Sequence, residues 1–201
     1  QLKDGLVVYD DRPYYLGDFE LTSKVDSIQT FAEITSKFLN ANLKSNSNIQ
    51  SIFDALQNHF KTYSKDTLQD NIQNSKVNLD LKLDFVSSPI LSNVFVDGIQ
   101  EMDTLKTSIK FEGEKNKLTS SLKLPYLNYQ DNEISGLAFE MESNGDIANF
   151  SFGFDNVSAG PLDVPKTQLS GKFEDQLLKL NLEAFKNDKE FFNSTVFIKF
   201  E

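Results

Sequence analysis

The chain contains no cysteine and no tryptophan, and only one histidine and one arginine. The lack of cysteine excludes disulfides, thiolate zinc sites and a cysteine nucleophile. Because Arg12 is the single arginine, a bidentate clamp for phosphate or carboxylate has almost no side chains to be built from. Any catalytic triad or imidazole metal site would depend on His59, and a lone imidazole makes a poor zinc site. We therefore expect His59 to lie at the edge of the apolar stripe of a helix, with one ring nitrogen hydrogen-bonded.

Positive charge is also scarce. The net charge is −10 and the isoelectric point is near 4.6. Proteins that bind nucleic acid need clustered cations to displace counterions from phosphates, and the lysines here are scattered among more numerous acids. We expect no nucleic-acid partner. The 201 residues, 39% of them hydrophobic, are enough for one sizeable domain or for two stacked parts of a continuous sheet.

No catalytic motif is found. The acidic clusters are Asp10 with Asp11, Glu112 with Glu114, and Asp131 with Glu133. They fall in turns or on polar strand faces, where water leaves carboxylates ionised, whereas a paired-carboxylate hydrolase needs one acid in an apolar pocket. The nine glycines form neither a phosphate-binding loop nor a dinucleotide motif. We expect no enzyme, no cofactor and no metal.

Alternation of apolar and polar residues dominates the rest of the sequence. Val77, Leu79, Leu81, Leu83 and Phe85 alternate with polar residues, which places them on one face of a strand. The same pattern returns about ten times, and short polar connectors such as Glu112–Asn116 and Ser143–Asp146 separate the runs. Loops this short join antiparallel neighbours and leave no room for crossover helices. The sequence predicts a mainly β fold, a long antiparallel meander with one apolar and one wet face.

Two helices are predicted to interrupt the meander. Ser47 and Gln50 have the spacing of a capping box, and the residues behind them predict an amphipathic helix at about 48–63. Ser88 and Pro89 predict a shorter helix that ends near Phe95, at about 89–95. The apolar stripe that the longer helix must bury comprises Ile49, Ile52, Phe53, Leu56 and Phe60. We expect it to dock near the Val77–Phe85 strand, as a plug or gate over the apolar face or as ordinary core packing.

No stretch reaches the roughly 20 apolar residues that span a bilayer, and no signal peptide is visible. The chain begins without methionine and ends in a strand-like run, so we expect an interior segment of a longer protein. It would be one continuous segment, with a first sheet part and helix at about 1–75 and a more regular sheet part at about 76–201. One helix cannot cover the apolar face of about ten strands. That face is therefore either the dry core of a closed β-sandwich or an open apolar groove.

The order of the elements resembles a known family. The strand Phe38–Leu43 runs into the amphipathic helix that ends at Tyr63, and the alternating strand Val77–Phe85 and the Pro89–Phe95 helix follow. A strand pair then leads to Pro125–Tyr129 and to Asn132–Leu137. In these features the chain resembles the TamB-type subunit of the translocation and assembly module, of the AsmA-like group, in its Bacteroidota form. The membrane anchor and the domain that engages the outer-membrane partner in that family have no counterpart in the sequence.

The resemblance implies a long sheet curled like a taco shell into an open trough with an apolar interior. It implies a Gram-negative envelope protein that is anchored in the inner membrane, spans the periplasm and serves outer-membrane biogenesis. Its ligands would be phospholipids or other acyl chains, and an outer-membrane barrel would be its partner, through regions absent here. A structural or chaperone-like module that pairs its strand edges with client proteins is the alternative. The expected lipid-contacting residues are Leu79, Leu81, Leu83, Phe85, Ile109, Phe111, Leu122, Leu124, Phe139, Phe152, Phe154, Phe173, Leu180, Leu182, Val196 and Ile198.

Overall fold

A computed structural model describes residues 1–63 and 75–200. The chain is mainly β, as the alternation predicts, and all thirteen strands belong to one antiparallel sheet. In chain order the strands are β1 (Leu2–Tyr9), β2 (Arg12–Val25), β3 (Thr30–Ser36), β4 (Leu39–Ser45), β5 (Asn78–Phe85), β6 (Ile99–Met102), β7 (Leu105–Glu112), β8 (Lys117–Tyr129), β9 (Asn132–Ser143), β10 (Ala148–Ala159), β11 (Leu162–Glu174), β12 (Leu177–Lys186) and β13 (Lys189–Lys199).

The strand order in the sheet follows the chain. Each strand pairs with its neighbours in sequence, except that β5 pairs with β7 and the short β6 pairs with the far end of β8. In the part of the chain that the structure describes, β1 and β13 each pair on one side only, so the sheet is open. The sheet therefore does not close on itself through β1 and β13, and the open groove over its apolar face stays a prediction.

Two-residue turns account for much of the regularity. Asp10 and Asp11 join β1 to β2, and both have positive φ, at 50° and 57°. Asp175 with Gln176 and Asn187 with Asp188 repeat this geometry between later strands. Two successive left-handed residues give the type of turn whose twist matches the twist of a hairpin, and Asn and Asp tolerate it best among residues that have a side chain.

The two predicted helices are both present. Helix α1 spans Ile49–Lys61. Its cap is Asn48 rather than the predicted Ser47, since the Asn48 side chain accepts a hydrogen bond from the backbone N–H of Ser51 at 2.8 Å. The second helix is a π-helix at Leu91–Phe95, and the Ser88 hydroxyl oxygen accepts from the Leu91 N–H at 3.3 Å. A 3-10 turn at Gly113–Lys115 connects β7 to β8.

The register aligns the apolar side chains into rows that cross the strands on one face, which we call the apolar face. Row A, nearest to the turns that follow β7 and β9, contains Thr30, Ser45, Leu79, Phe111, Leu118, Ser143, Ala148, Phe173, Leu178 and Ile198. Row B contains Ala32, Leu43, Leu81, Ile109, Ser120, Met141, Phe150, Gly171, Leu180 and Val196. Row C contains Ile34, Ala41, Leu83, Thr107, Leu122, Phe139, Phe152, Leu169, Leu182 and Ser194.

Candidate functional site

The residues expected to contact lipid share one surface. Thirteen of them lie in rows A, B and C, and strand alternation puts the remaining three, Phe85, Leu124 and Phe154, on the same face. Glycine enters row B at Gly171, where an added Cβ would lie 2.1 Å from the ring of the neighbouring Phe150. The Phe150 ring therefore covers the Gly171 backbone, and the apolar surface continues across that position without a gap.

Helix α1 covers part of row A. Ile52 and Ala55 are buried in one cluster with Val77, Leu79, Phe111 and Leu118. This confirms the predicted contact with the Val77–Phe85 strand. It also corrects the expected lipid-contacting set, because Leu79 and Phe111 are buried under α1 and Leu124 is buried as well, so these three side chains are not exposed for a lipid. At its N-terminal end the helix is tied to the β2–β3 connection, because the Asn48 side-chain amide donates to the Ser27 carbonyl at 3.4 Å. At its other end the Tyr63 ring lies 5.4 Å from the Phe173 ring of β11. The helix axis therefore runs across the strands, along row A.

The buried side of α1 differs from the predicted one. Ile52, Ala55 and His59 are buried, whereas Ile49, Phe53 and Phe60 are 47%, 65% and 46% exposed. The prediction that the whole apolar stripe is buried was wrong for these three residues. The apolar side chains occupy more of the helix circumference than one flat sheet can cover. The sheet contacts only one edge of this apolar arc, the edge that includes the small side chain of Ala55. That side lets the helix approach the sheet closely.

The position of His59 is a second correction. Its side chain is 1% exposed, and both ring nitrogens are hydrogen-bonded: Nδ1 lies 2.6 Å from Oδ1 of Asn116, and Nε2 lies 2.6 Å from Oγ of Ser143. Because the Asn116 carbonyl oxygen only accepts, Nδ1 carries the hydrogen. In the neutral imidazole, the form that burial favours, Nε2 accepts from the Ser143 hydroxyl. Burial lowers the pKa of His59, and the hydrogen bond to Asn116 opposes that effect only in part.

Aromatic rings and a tyrosine hydroxyl complete the attachment of α1. The His59 ring packs edge-on against Phe111 at 5.4 Å and against Tyr63 at 5.7 Å. The Tyr63 hydroxyl oxygen accepts a hydrogen bond from the backbone N–H of Gly145 at 3.0 Å. The turns after β7 and after β9 therefore both hold the C-terminal end of α1, and the buried imidazole is a structural group.

The sequence contains a signal for part of this network. In β9 the alternation Phe139, Met141, Ser143 ends on a polar residue at an inward position, and a buried hydroxyl needs a partner. His59 is the polar residue in the apolar part of α1 that can supply one. Asn116 carries no such signal, because an asparagine with a φ of 47° in a turn is ordinary without any ligand.

The opposite face of the sheet is polar and carries ion pairs across neighbouring strands. Lys117 lies 2.8 Å from Glu142, and Lys123 lies 3.1 Å from Glu140. These pairs are solvated, so each contributes little to stability. A concavity of about 910 Å³ between β2 and β7 is lined by Lys24, Lys44 and Lys110 together with the acidic Asp80 and Glu112.

Glu112, in one of the acidic clusters, is held as an ionised carboxylate. Hydrogen bonds from Lys115 and then from Lys110 lower the pKa of Glu112, whereas a catalytic acid needs a raised pKa. Asp10 and Asp11 form an exposed turn. Over residues 1–63 and 75–200, no group of three or more histidine, aspartate or glutamate side chains is placed to hold a metal ion.

No family model, no curated protein and no solved structure matches the chain significantly. None of the helices in the described ranges has the length and apolar character that crossing a membrane requires.

Proposed function

We propose that the sheet curls into an open trough and that its apolar face holds the acyl chains of phospholipids on their way between two membranes. The observation that carries the proposal is the part of the apolar face that α1 does not reach. There Phe152, Leu182 and Val196 are 42%, 38% and 49% exposed. Large contiguous apolar surfaces are uncommon on soluble proteins and mark sites of interaction.

The chemistry of this surface favours an acyl chain. Rows B and C contain aliphatic and aromatic side chains with few hydroxyls, and the sheet ladder already uses the backbone groups beneath them. An acyl chain forms no hydrogen bonds, and the free energy of its binding becomes more favourable by about 0.8 kcal/mol for each methylene removed from water. The wetted lysine and glutamate pairs on the other face suit the outside of such a trough.

The location in the cell rests on the family resemblance. Under this proposal the chain is part of an inner-membrane-anchored protein in the periplasm of a Gram-negative bacterium and serves outer-membrane biogenesis. An outer-membrane barrel would engage the longer protein outside this segment. The chemistry requires no metal, cofactor or catalytic residue.

Lipid extraction and lipid uptake test the proposal. The purified chain is extracted with organic solvent, the extract is analysed by mass spectrometry, and uptake of a fluorescent phospholipid from vesicles is measured. We expect bound phospholipid, and we expect Phe152→Glu with Leu182→Glu to abolish uptake, since two carboxylates would interrupt row C. The matched control, Ser151→Glu with Asn181→Glu, places the same charges on the polar face of the same strands and should leave uptake intact. Protein that carries no lipid and takes up none would contradict the proposal.

The second candidate function is strand addition to a client protein. Among the described strands β13 is an edge strand, and its Phe191 and Phe197 are both 61% exposed. The backbone N–H of Phe200 donates to the Gln176 carbonyl at 3.0 Å, so alternation directs the N–H of Thr195 and Phe197 away from β12. These free donors are what an added strand would pair with.

A further inference from the structure

Helix α1 has three sides. At 100° per residue, Ile52, Ala55 and His59 form the side that packs on the sheet. Gln50, Asp54 and Gln57 belong to a polar and exposed side. Between these two, and exposed to solvent, lies a third side formed by Ile49, Phe53 and Phe60. An amphipathic helix that packs on a sheet needs only the first two, so the third side calls for an explanation.

Leu56 shows which way the third side faces. On the helical wheel Leu56 lies between the sheet-facing side and the third side. In the structure Leu56 packs against the same buried cluster as Leu43, Ile109 and Met141 of row B. Helix α1 runs from the β2–β3 connection to β11 with Ile52, Ala55 and His59 on the sheet. Because an α-helix is right-handed, the side beyond Leu56 is turned towards rows B and C and away from the turns beside row A. A groove results, with rows B and C as its floor and the third side of α1 as one wall.

The length of the wall fits one acyl chain. From Ile49 to Phe60 the third side extends for about 16 Å at a rise of about 1.5 Å per residue. A bilayer has a hydrocarbon core of about 30 Å, so one chain of a phospholipid occupies about half of that length. The wall and the floor also offer no free backbone donor or acceptor, because the backbone N–H and C=O groups of the helix and of the sheet are hydrogen-bonded within those elements. An extended polypeptide buried there would leave its amides unpaired.

We propose that an acyl chain of a phospholipid lies along α1, between the Ile49, Phe53 and Phe60 side chains and rows B and C of the sheet. This rests on the proposed function and adds a defined position and direction for the lipid, across the strands and parallel to the helix. In this arrangement α1 is a fixed wall of the binding site, since His59 and Tyr63 fasten it to the sheet. A plug would have to leave before lipid could bind, whereas the wall contacts the lipid.

The double substitution Phe53→Gln with Phe60→Gln tests whether α1 contacts the lipid as a wall or blocks the site as a plug. Both positions are exposed, and Gln is a good helix former, so circular dichroism should show an unchanged fold. The probe is a phosphatidylethanolamine with a fluorophore on one acyl chain, titrated into the protein. We expect the dissociation constant to rise about tenfold, which corresponds to about 1.4 kcal/mol. The matched control, Gln50→Ala with Gln57→Ala, changes the polar side of the same helix and should leave binding unchanged.

The outcomes are distinguishable. Wild-type binding that is unchanged in the Phe53 and Phe60 variant, or that becomes tighter or faster, overturns the wall and leaves the proposed function standing. No binding by the wild type overturns both. A second measurement needs no variant: a phosphatidylethanolamine with a diazirine at the end of its acyl chain is photolysed on the wild-type protein, and the modified peptides are identified. Labelling on α1 and on the strands that it crosses supports the wall, and labelling confined to strands beyond the reach of α1 overturns it.

Discussion

Nε2 of His59 lies 2.6 Å from Oγ of Ser143, which joins a helix to a strand 84 residues further along the chain. The contact is buried, and both ring nitrogens of His59 are hydrogen-bonded. It determines which side of α1 packs on the sheet, and therefore which apolar side remains available.

Ser143→Ala should destabilise the protein by about 1–3 kcal/mol, because it leaves Nε2 of His59 buried without a donor. Unfolding in urea, followed by circular dichroism, measures the change. Ser151→Ala is the control, since Ser151 lies on the polar face of the next strand, and it should stay within about 0.5 kcal/mol of the wild type. Equal stability of the two variants would show that the hydrogen bond to His59 contributes nothing.

Stability should fall as the pH drops below the ordinary pKa of histidine, about 6.5. Burial lowers the pKa of His59 in the folded state, so the unfolded chain binds the proton more readily. The stabilisation is complete above pH 6.5, declines as the pH falls towards the folded-state pKa, and then stays level. Urea unfolding between pH 7.5 and about 5 tests this. His59→Gln should remove the decline, and a variant that keeps it would assign the decline to other groups.

Ile52→Asp should cost about 3 kcal/mol or more, because it buries an unpaired carboxylate in the core cluster. Phe53→Asp, one residue away, should change the unfolding free energy by less than about 0.5 kcal/mol, since the Phe53 side chain is 65% exposed. The pair compares the sheet-facing side of α1 with its third side. If Ile52→Asp releases the helix while the sheet keeps its β signal and stability, α1 is a detachable gate and not part of the core.

Thr195→Pro should remove one free donor from the edge of β13 and leave the β12–β13 ladder intact. Val196→Pro, at the next position, should break that ladder, because the Val196 N–H points towards β12. If the chain binds clients by strand addition, Thr195→Pro abolishes client binding in a pull-down assay and leaves lipid uptake unchanged. Loss of lipid uptake with client binding preserved would exclude the edge as the client site.

Periodicity made most of the fold predictable. Alternation such as that from Val77 to Phe85 specifies which residues share a face, and short polar connectors specify antiparallel neighbours, so the meander and both helices follow from the sequence. The short strand β6 does not, because four residues carry too little periodicity and its pairing skips β7. The cap at Asn48 was missed because Ser47, one residue earlier, offers an equally good cap sequence.

The site was less predictable than the sheet. The apolar residues between Ile49 and Phe60 cover so much of the helix circumference that they do not specify which side is buried. That choice depends on partners distant in sequence. Those partners, Asn116 and Ser143, are polar residues that close a network with His59. Hydrophobic patterning treats such residues as interruptions, although here they fix the orientation of α1.

Because the strands pair in chain order, the length of the sheet across its strands grows with the number of hairpins. Each hairpin contributes about 10 Å along the direction that crosses the strands, at about 4.8 Å per strand. A duplicated or deleted hairpin would change the reach of the protein without altering its cross-section, as in other proteins built from nearest-neighbour contacts. The strands from β3 to β11 are bridged by α1 and would resist such changes. Strands β12 and β13 lie beyond the helix, where gain or loss of a hairpin is tolerated best.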